Sequence, residues 1–144
     1  MNGFLLDTNV PSELIRARPD PRVGNWIYAR NEHSLYLSVV TIGELRRGLV
    51  LLPPGERRGS LERWFENDLL PRFQGRILSV THSIADRWGV LDGQCQLSGT
   101  PLGTADGMIA ATAIEHDPTL VTRNVKDFTG LGVQVFNPWD AALL

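Results

Sequence analysis

The chain has 144 residues, 42% of them hydrophobic and 21% charged, with a formal net charge of −2 at neutral pH. These values fit one globular domain with one core and exclude a bulk polybasic nucleic-acid binder. No apolar run reaches the roughly 18 residues of a membrane helix, and one cysteine, Cys95, cannot form an internal disulfide.

The opening run Gly3-Phe4-Leu5-Leu6 is apolar and ends in Asp7. It has neither the basic n-region nor the long apolar stretch of a secretion signal, so it reads as a buried strand, and the expected compartment is the cytoplasm. A short helix is expected from Pro11 to Arg16, broken by Pro19-Asp20-Pro21. Val23 to Arg30 predicts a second helix with Val23, Trp26 and Ile27 on one face. The β-formers from Ser34 to Val39 predict a strand, and Thr41 to Leu52 a helix closed by Pro53-Pro54-Gly55. The segment from Pro53 to Ser60 reads as a mobile loop. Leu61, Trp64, Phe65 and Leu69 recur at helical spacing. A strand is expected from Arg76 to Val80, a long helix from Ser83 to Leu97, and an alanine-rich helix from Thr104 to His116. Strands follow from Thr119 to Thr122 and from Val133 to Phe136, with a terminal turn at Asn137-Pro138. Strands separated by helices pair in parallel, so the expected class is α/β, with helices on both faces of a central sheet of about five strands. No linker divides the chain, and one domain is expected over residues 1–144.

Three acids stand where such a fold gathers ligand sites. Asp7 follows the first strand, Glu44 lies early in the helix after the second, and Asp106 lies in the first turn of the alanine-rich helix. In parallel α/β sheets, ligands bind outside the carboxyl ends of the strands where strand order reverses. Each acid also has a purely structural reading. Asp7 could cap a turn, Thr41-Ile42-Gly43-Glu44 matches a capping box, and Asp106 suits a helix dipole. Together they are harder to explain so, because carboxylates brought to one edge repel unless a cation lies among them. Mg²⁺ or Mn²⁺ suits such oxygen ligands and can activate water against a phosphodiester. The histidines, His33, His82 and His116, are scattered and lack metal-ligand spacing.

Thirteen of the fourteen basic residues are arginine, and Lys126 is the lone lysine. Arg46, Arg47, Arg57, Arg58, Arg63, Arg72 and Arg76 crowd the middle third. They read either as a solvated helical surface or as a phosphate-contacting face, with Arg46, Arg47 and Arg123 as candidates for the latter.

Four stretches resemble the motifs of PIN-domain proteins. They are Leu5-Leu6-Asp7-Thr8-Asn9-Val10, Ser38-Val39-Val40-Thr41-Ile42-Gly43-Glu44-Leu45, Ala105-Asp106-Gly107-Met108-Ile109-Ala110-Ala111-Thr112-Ala113 and Thr122-Arg123-Asn124-Val125-Lys126-Asp127-Phe128. The nearest resemblance is to the VapC-like toxins of bacterial toxin–antitoxin pairs, in the FitB-type branch, which the ending Val135-Phe136-Asn137-Pro138-Trp139 also resembles. The resemblance implies a three-layer α/β/α sandwich and Mg²⁺- or Mn²⁺-dependent endonucleolytic cleavage of RNA. It implies that Asp7, Glu44, Asp106 and Asn124 are catalytic, with Asp7 and Asp106 holding metal. Thr8, Asn9, Thr122 and Asp127 would support them. A homodimer and a cognate antitoxin are implied as well.

The chain departs from the family pattern at Asn124, where a fourth acid is expected; Asp127 could supply that charge. Two other readings stand beside the nuclease. One is a catalytically weak PIN-like module that binds RNA or a partner. The other is a phosphotransferase of the haloacid-dehalogenase type, which would want an acid two residues after Asp7, where Asn9 stands.

Overall fold

The computed structural model describes residues 2–140. Among them, β1 (Phe4–Leu6), β2 (Leu35–Ser38), β3 (Ile77–Leu78), β4 (Thr119–Val121) and β5 (Val135–Phe136) form a parallel sheet in the order β3-β2-β1-β4-β5. The register pairs Phe4 with Leu35 on one side and with Thr119 on the other.

Successive strand side chains point to opposite faces, and both faces are covered. Leu6, Leu35, Leu37 and Val121 enter one core with Phe4, Ile77 and Phe136. Their sequence neighbours Leu5 and Leu120 enter the other, with Tyr36, Leu78 and Val135. This is why the strands are apolar without alternation. The first core is closed by α1 (Asn9–Leu14), α2 (Pro21–Tyr28), α3 (Val39–Leu51) and α4 (Glu56–Trp64). The helix continues from α4 through a π-helical turn (Phe65–Leu69) into α5 (Leu70–Arg72), which adds Phe65, Leu69 and Phe73. The second core is closed by α6 (His82–Leu97), α7 (Thr104–His116) and a 3₁₀ turn (Val125–Phe128), through Leu91, Ile109, Ala110, Ala113 and Phe128. The result is the expected α/β/α sandwich.

Local chemistry sets the helix starts. Asp20 caps α2, accepting from Arg22 N at 2.9 Å ahead of a first-turn proline. Thr81 caps α6, accepting from Ile84 N at 3.2 Å. Gly3 opens β1 at φ +142°, where a Cβ would lie 2.7 Å from the Ser34 carbonyl oxygen, so glycine is required by both conformation and space.

Three expectations are corrected. The helix expected from Thr41 begins at Val39, directly after β2, because the Ser38 hydroxyl accepts from Val40 N at 3.0 Å. Thr41 is therefore inside α3 and buried, and the capping-box pattern around Glu44 is not used. The segment from Pro53 to Ser60 is not one loop: α4 begins at Glu56, and Arg58 ties it to the end of α3 by donating to the Leu52 carbonyl at 3.4 Å. The third strand is shorter than expected, ending at Leu78 on the sheet edge.

Candidate active site at the carboxyl edge of the sheet

From β1 the chain runs outward to β2 and β3, then returns to β4 and β5 on the other side, so strand order reverses between β1 and β4. Asp7 leaves β1 at that point, its N–H still donating to the Val121 carbonyl at 2.9 Å. Thr122 leaves β4 beside it. Both side chains are buried, and the Thr122 hydroxyl donates to Asp7 Oδ2 at 2.7 Å. The other oxygen, Oδ1, accepts from Thr8 N at 2.8 Å. The Asp7 carboxylate is thus fixed in orientation by both neighbouring strand ends. Its carboxyl is held above the ordinary value: burial is the main cause, with Glu44 and Asp127 adding repulsion, and the Thr122 and Thr8 bonds oppose it.

Glu44 reaches the same place from α3. Its Oε1 accepts from the Thr8 hydroxyl at 2.5 Å, and the buried Thr41 hydroxyl lies 3.1 Å from Thr8 Oγ1. Thr41 is a site neighbour that the sequence reading assigned to helix capping. Its signal was available: a hydroxyl three residues before an acid, on a helix that follows a buried strand.

Asp106 lies in the first turn of α7, as expected. Its side chain accepts no hydrogen bond among the described residues, and its carboxyl is pushed up to about 6 by burial and then by the charges of Asp7, Asp127 and Glu44. The backbone at this turn is tightly packed: a Cβ on Gly107 would lie 2.7 Å from Trp88 Cδ1 of α6. Trp88 packs on the turn that carries Asp106.

The loop after β4 completes the edge. Asn9 Nδ2 donates to Thr122 Oγ1 at 3.3 Å, and Arg123 N donates to Asn9 Oδ1 at 3.4 Å. This bonding uses Asn9 as a brace, unlike the acid that aspartate-based phosphoryl transfer needs at that position. Asn124 is exposed, its N–H donating to Thr122 Oγ1 at 3.0 Å. Asp127 is exposed as well, and its charge is felt by both Asp7 and Asp106.

The structure therefore brings Asp7, Thr8, Asn9, Glu44, Asp106, Thr122, Asn124 and Asp127 to one edge. None of the four carboxylates is in an ion pair among the described residues. No three His, Cys, Asp or Glu side chains of the described residues close round a single ion. An all-oxygen set of carboxylates, hydroxyls and an amide, with water to complete the shell, suits a hard divalent cation.

The arginines divide differently. Arg46 bonds Glu66 at 2.9 Å and lies over the Phe65 ring. Arg72 pairs with Glu32, and Arg76 donates to the carbonyls of Glu32, Leu35 and Arg72. Most of the crowd thus holds the fold. Arg47 is exposed with no ion pair among the described residues, and Arg123 is exposed with its guanidinium 5.4 Å from the Trp139 ring. Cys95 is half-buried, at the wall of a cleft beside Asp106. Among the described residues no helix is long and apolar enough to cross a membrane.

A parallel sandwich with an acidic cluster at its switch point agrees with a PIN domain, and the chain belongs to that family: the PIN-domain model matches residues 4–131. It is 41% identical to VapC ribonuclease Y4jK of Sinorhizobium fredii, over 96% of this chain and 99% of that protein. It is 40% identical to Toxin FitB of Neisseria gonorrhoeae, over 94% and 98%. The structure matches one of FitAB bound to an IR36 DNA fragment with a TM-score of 0.90, at 38% identity over 97% of this chain and 98% of that one.

Proposed function

We propose that this chain is a Mg²⁺- or Mn²⁺-dependent endoribonuclease acting in the cytoplasm as the toxin of a toxin–antitoxin pair. One observation carries the reading: Asp7, Glu44 and Asp106, from three separate elements, converge without an ion pair among the described residues, and burial together with the charges of its acidic neighbours pushes the Asp106 carboxyl up to about 6. Repulsion of that kind is relieved by a bound cation. The names of the ribonuclease and toxin relatives support the same reading.

Asp7 and Asp106 would hold the ion, which when bound supplies a nucleophilic water at neutral pH and positive charge for the phosphate. Thr122 and the Thr8 N–H fix both oxygens of Asp7, so little reorganisation is needed on loading. Thr8 orients Glu44 through Oε1, leaving Oε2 to take the proton of the attacking water. Asn124 and Asp127 stand at the exposed rim, where they can bond outer waters or RNA hydroxyls. Arg47 and Arg123 are candidates for flanking phosphates.

An antitoxin segment bearing an arginine would suit the acidic site and exclude both metal and RNA. The match to the FitAB complex supports a protein partner, and the arginine follows from the charge of the site. A homodimer of one PIN domain per chain completes the reading. RNA cleavage by wild type, Asp7→Asn and Asp106→Asn, with Mg²⁺ and with EDTA, tests it. Cleavage that depends on the metal and fails in both variants is expected; cleavage that survives both substitutions, or EDTA, sinks the proposal. Binding of RNA without any cleavage would favour the weak binding module instead.

A further inference from the structure

Beside the carboxylates, the loop between α6 and α7 faces the turn after β4 across a cleft of about 380 Å³. Thr100 and Leu102 line one wall, Lys126, Asp127 and Thr129 the other, and Asp106 belongs to both the cleft and the acidic site. The volume falls at the lower end of small-ligand pockets. It is much larger than one hydrated ion needs and too small for a folded partner.

The lining mixes apolar surface with two hydroxyls, two carboxylates and the chain's only lysine. An unpaired nucleobase asks for that mixture: apolar contact for its faces, hydrogen-bond partners for its edge and a cation for the phosphate it carries. The hollow on the other side of the site is about 210 Å³, little more than half that volume, and its lining is mostly apolar, with four leucines, Ile15 and Trp64. Of its polar groups, Thr8 and Glu44 already bond each other, which leaves Ser12 and Arg57 for a ligand.

Resting on the nuclease reading above, the geometry points to the larger cleft as a base pocket, which seats one unpaired nucleotide of the RNA next to the phosphate that is cut. Lys126 takes the phosphate on the far side of that nucleotide. Asp127 accepts from N–H groups on the base edge; the Thr100 hydroxyl, and Thr129 Oγ1 as an acceptor because its proton goes to the Val125 carbonyl at 3.1 Å, complete the selection. Cutting is then sequence-selective at one flanking position, and the selectivity lies in the walls of this cleft.

The test is digestion of a random-sequence single-stranded RNA pool, in Mg²⁺, by wild type, Thr100→Trp and Thr129→Trp, with cut sites read by sequencing. Both threonines are exposed, and they stand on opposite walls, so an indole at either fills the cleft without entering the core. Thermal melting checks that each variant is folded. Wild type should favour one base over another by about tenfold or more at one position beside the cut, and each tryptophan should reduce that ratio to roughly twofold. Ratios within one digest are independent of the overall rate. Lys126→Ala should reduce the salt dependence of RNA binding by a slope of about one. Wild type that leaves the pool intact sinks the nuclease reading itself. Wild type that cuts, with its base preference unchanged in a folded tryptophan variant, sinks the pocket alone.

Discussion

Asp106→Asn should make the protein more stable and abolish its cleavage of RNA, both through loss of one negative charge. The carboxyl is raised from an ordinary 3.8 to about 6 by burial and by three acidic neighbours. Fully converted, that rise corresponds to about 3 kcal/mol against the folded state with the group ionised. Asp106 is only half-buried, so solvent screens the repulsion, and about 1 kcal/mol is the expected gain on neutralisation. No hydrogen bond to the side chain is lost among the described residues. The sign follows from linkage. The folded state holds this proton more tightly than the unfolded chain, so wild-type stability falls as pH rises from about 4 through about 6. At pH 7.5 the variant should melt about 3 °C higher, and at pH 3.5 the difference should vanish because both states are protonated. Melting in EDTA at the two pH values measures this. Adding Mg²⁺ should then raise the wild-type midpoint more than that of the variant, reversing part of the difference. A variant no more stable than wild type in EDTA at pH 7.5 would refute the repulsion on which the metal reading rests.

Gly107→Ala should cost about 1–3 kcal/mol, since the new methyl would lie 2.7 Å from the Trp88 ring, and should lower cleavage by shifting Asp106; urea denaturation and RNA digestion read the two effects. A stability equal to wild type would show that α6 yields without cost. Trp139→Phe keeps an aromatic ring but removes the indole N–H that donates to buried Glu13 Oε1 at 2.9 Å; a loss of about 1–3 kcal/mol in urea is expected, because Glu13 Oε2 already lacks a partner. Arg47→Ala should leave the melting temperature nearly unchanged while weakening RNA binding at low salt, whereas Arg76→Ala should destabilise by about 2 kcal/mol through its three carbonyl partners. Equal effects on stability would contradict the division of arginines drawn here.

What could be read before folding follows from how local each feature is. Asp7 and Asp106 were legible because each follows an unambiguous signal, the end of an apolar strand or the start of an alanine-rich helix, and the parallel topology then puts both at one edge. The start of α3 was not, because Ser38 and Thr41 are both good caps and only the packing of Thr41 against Thr8 decides between them. The arginine cluster misleads for a related reason. Composition records seven charges but not that Arg72 and Arg76 are used by Glu32 and by backbone carbonyls more than thirty residues away. Glu13 and Trp139, 126 residues apart, likewise join only through the fold.

The same distinction bears on Asn124. In sequence it occupies the place of a missing fourth acid, and its loss suggests a weakened site. In the structure that place is exposed, outside the two strand ends, while Asp127 one short turn later already repels both Asp7 and Asp106. Another carboxylate at 124 would add to the repulsion that, after burial, helps to push Asp106 to about 6. A neutral amide there keeps an oxygen ligand for water or RNA without that penalty. Asn124 is thus compatible with a working site.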